Sequence, residues 1–167
     1  MGPPPESDLD RQLETIAHLI AAEAGARIYY TLQSGYDTHA AQPTIHASLL
    51  ADLGVSIDRF FARLERSGQA SRVALLAFSE FGRRVAENAG SGTDHGTAGP
   101  VLLIGPRVRG GLHGVSPRLD DLVDGDLKPT ADFRGVYATV IADWLNLPLQ
   151  GPLHARLASH PTMPLFL

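Results

Sequence analysis

Two short polar stretches concentrate the residues whose types could do chemistry. Asp37 and His39 stand two apart in SGYDTHAAQ (34–42), directly after an apolar run. Glu80, Arg83, Arg84, Glu87, Asn88, Asp94 and His95 gather among glycines in FSEFGRRVAENAGSGTDHGTAG (78–99). A carboxylate and an imidazole this close in the chain can converge on one cation, and arginine presents a forked donor to an oxyanion. The glycines admit close approach of backbone to a ligand. Loops that leave strand ends are where α/β sheets carry ligand sites. The two stretches are therefore expected to lie side by side and to form, or descend from, a metal-assisted hydrolase site. Blander readings compete at each position. Asp37 can stabilise its own turn, Glu80 can open a helix, and Arg83 with Arg84 can form a solvated face. His46, in the first turn of a helical pattern, can reach the same loop or stay solvated, and His18, His113, His154 and His160 read as ordinary surface or helix histidines.

These loops have to be held by the elements between them. Residues 1–6 read as a flexible start and Ser7 as an N-cap, with Asp8 and Asp10 in the first turn where acids favour the helix dipole. Leu9, Leu13, Ile16, Leu19 and Ile20 then recur at helical spacing, with Gly25 as a stop. RIYYTLQ (27–33) is β-branched and aromatic, which predicts a strand. Pro43 and Thr44 open a long helix with the stripe Ile45, Leu49, Leu53, Ile57, Phe60, Phe61 and Leu64, and Gly68 ends it. RVALLAF (72–78) is an almost continuous apolar run, which fits a parallel strand buried on both faces. A helical turn is expected over 79–87 and a further apolar run at 100–104. Gly110-Gly111 suggests a hairpin, and 121–131 a turn-rich connection. Asp132 caps a last helix with the stripe Phe133, Val136, Tyr137, Val140, Ile141, Trp144 and Leu145. Arg134 is unfavourable in that first turn unless a specific partner keeps it there. The tail from Pro148 reads as loop, with PLFL docking on the core. The alternation of helices and strands predicts an α/β layered fold with a mainly parallel sheet. A flexible segment at 1–7 and a single domain over 8–167 complete the organisation.

Composition narrows the chemistry. The chain has 167 residues, 44% of them hydrophobic, and a net charge of −4. No block of lysine and arginine is present to hold a phosphate backbone, which argues against nucleic acid as the partner. There is no cysteine, so a metal would need His, carboxylate, carbonyl or water. No apolar run reaches the ~18 residues of a membrane span. MGPPPESDLDRQ does not read as a signal peptide, and localisation stays open because a full-length relative could be exported.

GYDTHAAQ, LLAFSEFGRRVAEN, GTDHGTAGPVLLIG, GGLHG and ADFRGVYATVIADWL, in this order, resemble the bacterial family called domain of unknown function 1501, from about residue 8 to the end. That family is placed in the alkaline phosphatase and sulfatase superfamily. The resemblance implies an alkaline-phosphatase-like layered α/β fold, here incomplete and corresponding to the C-terminal part. It implies a hydrolase of phosphate or sulfate esters acting on a small anionic substrate. On it, Asp37, His39 and His95 are expected metal ligands, Asp94 and Glu80 further carboxylates, and Arg83 an oxyanion clamp. Zinc suits mixed His and Asp ligands, and manganese or magnesium would suit carboxylates and water. By chain order, Ser79-Glu80-Phe81-Gly82 stands where the superfamily has Asp-His-Gly. Another alignment puts Asp94-His95 there. In the first alignment Phe81 displaces a ligand of the second metal. No nucleophile stands in a matched position, so this chain alone is expected to be inactive, and a truncated face is expected to self-associate. The rival reading is a non-catalytic binding or assembly module on a hydrolase-like scaffold.

Overall fold

The computed structural model describes residues 7–157 and 159–167. The expected flexible start at 1–6 lies outside the described residues, as does the side chain of His154. The chain divides into two compact units. One comprises residues up to Val73 together with Glu87–Asp94, and the other Ala74–Ala86 with His95–Leu167.

The first unit is built on two helices. Helix α1 (Asp8–Ala21) is capped by Ser7, whose Oγ accepts from Asp10 N at 3.1 Å. It buries Leu9, Leu13 and Ala17. Helix α2 (Gln42–Arg66) starts with Pro43 in its first turn and packs on α1 through Ile57, Phe60 and Leu64. Gly68, at φ +71, lets Gln69 N return to Leu64 O at 2.8 Å and closes the helix. Gly54 lies inside α2, where a Cβ would meet no atom within 4 Å. Gly54→Ala is therefore expected to stabilise the chain by up to about 1 kcal/mol, read as a higher urea midpoint with an unchanged slope.

Residues 27–33 are extended, as their β-branched composition predicts, but they form no strand. The backbone of residues 28–33 makes no hydrogen bond to other backbone among the described residues. Side chains alternate all the same. Thr31 bonds Gln12, and Gln33 donates to Asp52 Oδ2 at 2.9 Å, while Ile28, Tyr30 and Leu32 stay 72%, 77% and 64% exposed. Strand propensity is present, and a neighbouring strand is what the segment lacks.

The second unit carries three two-stranded antiparallel pairs. Strand β1 (Leu75–Ala77) pairs with β4 (Leu102–Ile104), Leu76 opposite Leu103. No parallel pair occurs among the described residues. Parallel neighbours need a crossover, usually a helix. None forms between residues 78 and 101. The expected helical turn over 79–87 is instead β2 (Gly82–Arg83), paired with β3 (His95–Gly96). The hairpin expected at Gly110-Gly111 does not form. It lies at β5 (Leu122–Val123) and β6 (Asp126–Leu127), where Asp124 and Gly125 take φ +51 and +80. Asp-Gly is a preferred pair for a tight turn with positive φ at both positions. Arg84 donates to Asp124 O at 3.1 Å and Thr97 Oγ1 to Leu127 O at 2.7 Å, which fastens this hairpin to the β2–β3 ribbon.

Helix α3 (Phe133–Thr139) runs into a wider π turn at Val140–Trp144. Its N-cap Asp132 accepts from Arg134 N at 2.9 Å, and the Arg134 guanidinium closes back on the same carboxylate. That partner is what holds an arginine in a first turn, and it keeps the Asp132 carboxyl well below the usual range. His160, expected to stand apart, lies 3.4 Å from Asp132. The tail expected to be loop contains α4 (Gly151–Leu157). Its end docks: Leu165 is buried, Arg109 N donates to Leu165 O at 2.8 Å, and Phe166 stacks on Trp144.

Candidate functional site

Asp37 and His39 sit on the turn that leads into α2. Tyr36 anchors the turn by donating from its hydroxyl to Gln33 Oε1 at 2.8 Å. Burial, and behind it the nearby Asp52 carboxylate, pushes the Tyr36 hydroxyl above its usual value. The ring of His46 meets Tyr36 edge-on at 5.7 Å, so His46 packs beside the turn. Thr38 is buried, while Asp37 and His39 on either side of it are exposed.

The segment 87–94 belongs to the same unit and lies against this turn. Ala41 N donates to Gly90 O at 3.0 Å and Gln42 N to Ser91 O at 2.9 Å. Thr93 Oγ1 reaches Gln42 Oε1 at 3.1 Å. Gly92 touches the backbone of His39 so closely that a Cβ would fall 2.4 Å from His39 C. The glycine is thus used for backbone-to-backbone contact, where the sequence suggested approach to a ligand.

This contact brings three of the expected residues together. His39 Nε2 lies 2.9 Å from Asp37 Oδ1, and His39 Nδ1 lies 3.3 Å from Asp94 Oδ1. All three side chains are exposed. An imidazole facing a carboxylate at each nitrogen can donate to both only as the imidazolium. With a cation at Nε2, that nitrogen would serve as ligand and Nδ1–H would donate to Asp94. Ligands in a tetrahedral zinc site at ~2.0–2.1 Å from the ion stand about 3.3 Å apart. The Asp37 and His39 atoms therefore fit one ion after a shift of a few tenths of an ångström.

The other expected residues fall in the second unit. Arg83 and His95 are cross-strand partners on β2 and β3, so their side chains share a face of the ribbon, and Phe81, two residues before Arg83, joins them. The Phe81 ring stacks on the His95 imidazole at 4.0 Å and 4°, and the Arg83 guanidinium lies 5.0 Å from the Phe81 centroid. Phe81 has a defined place here as the surface on which a histidine and an arginine rest. Glu80 precedes the ribbon and is exposed. Arg84 turns toward the β5–β6 hairpin, 3.7 Å from Asp126 Oδ2.

The sequence places Asn88 in the polar stretch but assigns it no role. Its Oδ1 accepts from Gly90 N at 2.9 Å and Gly92 N at 3.1 Å, and its Nδ2 donates to His39 O at 3.0 Å. The local signal was present in Asn88-Ala89-Gly90-Ser91-Gly92, since asparagine bonds backbone two residues on.

The first unit is a two-helix unit with an exposed Asp-His-Asp cluster on two polar loops, and the second carries small antiparallel ribbons and α3. Residues 6–135 match the family described as protein of unknown function (DUF1501), and the chain belongs to that family. No curated protein and no solved structure matches it. Among the described residues no helix is long and apolar enough to cross a membrane.

Proposed function

We propose that this chain is a metal-dependent, hydrolase-like protein of the alkaline phosphatase and sulfatase superfamily, with an α/β layered fold, acting in the phosphate or sulfate ester class. The observation that carries the reading is His39, with Asp37 at one ring nitrogen and Asp94 at the other. Asp37 and His39 Nε2 would hold a divalent cation, zinc by the chemistry of these donors. Asp94 would orient the imidazole through Nδ1, the role a carboxylate takes behind a metal-bound histidine. His95 follows Asp94 in the chain and is the second histidine of the reading on that adjacency. The bound ion would stabilise charge on an ester oxygen. Arg83 would hold a further oxygen of the anionic group, and Glu80 would serve as an additional carboxylate. No nucleophile is assigned, so turnover by this chain alone is not expected. Exposed Ile28, Tyr30 and Leu32 support self-association of the isolated chain.

The test is zinc binding to the chelator-treated chain, followed by calorimetry. Uptake near one equivalent, weakened by at least ~tenfold in His39→Ala, is the expected result. No uptake by a folded chain would overturn the reading. It would favour the second reading, a non-catalytic scaffold, in which both ring nitrogens of His39 serve only hydrogen-bonded structure.

A further inference from the structure

Asn88 lies at the centre of the two-loop contact, yet it is neither a ligand nor a charge. We propose that Asn88 is the positioning residue of this site: its one amide group sets the Asp94 carboxylate against His39 and ties both to the turn that carries them. The inference rests on the metal reading above.

Four contacts converge on the side chain. Oδ1 accepts from Gly90 N and Gly92 N, which closes the 88–92 turn, and Asn88 N returns to Gly92 O at 2.8 Å. Nδ2 donates to His39 O and also faces Asp94 Oδ1 at 3.4 Å. An amide offers two donor hydrogens and a carbonyl oxygen with two acceptor lone pairs, and all four are engaged here. The same Asp94 oxygen is the one facing His39 Nδ1. A single group therefore fixes the backbone behind His39, the carboxylate in front of its ring, and the turn between them. Aspartate would keep both acceptors but lose both donors, and would set a like charge against Asp94. Leucine would lose every contact. Asparagine is short enough to bond its own turn and long enough to reach the His39 backbone, which is why neither its acid nor its apolar isostere can replace it.

The orientation of the imidazole is what Asn88 protects, so the deciding variant is Asn88→Asp. It keeps the acceptors of the turn and disturbs only the Asp94 and His39 side. Two measurements are made on the whole chain. One is zinc affinity by calorimetry. The other is the tautomer of His39, read from its ring nitrogen resonances with zinc and without. The expected result is a loss of roughly tenfold to a hundredfold in zinc affinity, the range seen when partners behind a metal ligand are removed. Zinc at Nε2 leaves the ring proton on Nδ1 in either protein, so the change is read without zinc, where the proportions of the two His39 tautomers should differ between variant and wild type. Gly90 and Gly92 amide exchange should stay slow, which shows that the turn persists. Asn88→Ser retains one acceptor for Gly90 N and serves as second variant should Asn88→Asp fail to fold, with the same expected change. Wild-type zinc affinity and an unchanged ring pattern in a folded variant would overturn the inference while leaving the metal reading intact. If the wild type binds no zinc, the metal reading fails by itself. The ring pattern without zinc then decides: a change in the variant supports the positioning role, and no change overturns it.

Discussion

Asp10→Asn is expected to destabilise the first unit by about 3 kcal/mol, the scale of removing one partner from a buried ion cluster. The Asp10 side chain is only 2% exposed and lies between two guanidiniums, with Arg63 Nη1 at 2.6 Å and Arg59 Nη1 at 2.9 Å. Arg63 and Arg59 are themselves 15% and 27% exposed. All three groups come from the α1–α2 contact, so the cluster acts as an electrostatic clasp beside the Leu9, Leu13, Phe60 and Leu64 core. The isosteric amide keeps the shape but removes the charge that Arg59 and Arg63 share, leaving Arg63 only the longer pair with Glu14 Oε1 at 3.6 Å. The pH dependence follows. Arg63 foremost, and then Arg59, hold the Asp10 carboxyl below its ordinary 3.8, against burial that pushes it up. A carboxyl lowered in the folded state stabilises fully above its unfolded value and loses that contribution as pH falls through the folded one. Urea unfolding followed by helical circular dichroism should show the wild type weakening below about pH 4, with a smaller pH effect in the variant. A variant as stable as the wild type at pH 7 would mean that the clasp contributes nothing net.

What the sequence made legible was local. The stripes Leu9, Leu13 and Ile57, Phe60, Leu64 recur at 3.6-residue spacing, and a helix can be read from that alone. The ends of α2 were readable because Pro43 and Gly68 act on their own backbone. Asp37 with His39, and Asp94, could be picked as candidates that lie close together, because their types are informative and their loops are short of competing structure. Pairing was less legible. Residues 27–33 carry strand propensity, but whether a strand forms depends on a neighbour elsewhere. The β2–β3 ribbon is set by Gly82 lying against Ala98 and Gly96 against Arg83, contacts that only a folded chain reveals. Asn88 announced a turn, but the group its Nδ2 reaches is 49 residues earlier. Phe81 looked like a departure from a ligand pattern, and its stacking on His95 is visible only once the register is known. The π turn after α3 has no counterpart in the apolar stripe, which runs through it unchanged.

Gly92→Ala tests whether the two loops are truly locked. The added Cβ would stand 2.4 Å from His39 C, 2.5 Å from His39 O and 2.7 Å from Ala40 N. All are backbone atoms, so no rotamer change relieves the clash, and one loop must move away from the other. The cost of forcing an extra carbon into a closed contact is about 1–3 kcal/mol. The bonds at risk are those that hold the loops together, Ala41 N to Gly90 O and Gln42 N to Ser91 O. Loss of protection at the Ala41 and Gln42 amides in hydrogen exchange is the direct readout, and it does not depend on any metal. If the cluster binds zinc, affinity should fall by at least ~tenfold, because His39 rides on the displaced backbone while Asp94 stays with the other loop. Gly110→Ala is the matched control, since a Cβ there meets nothing within 4 Å. It should leave amide protection, stability and zinc affinity unchanged. Wild-type exchange at Ala41 and Gln42 in Gly92→Ala would show that the loops can part without loss. The close packing would then not be what assembles the Asp37, His39 and Asp94 cluster.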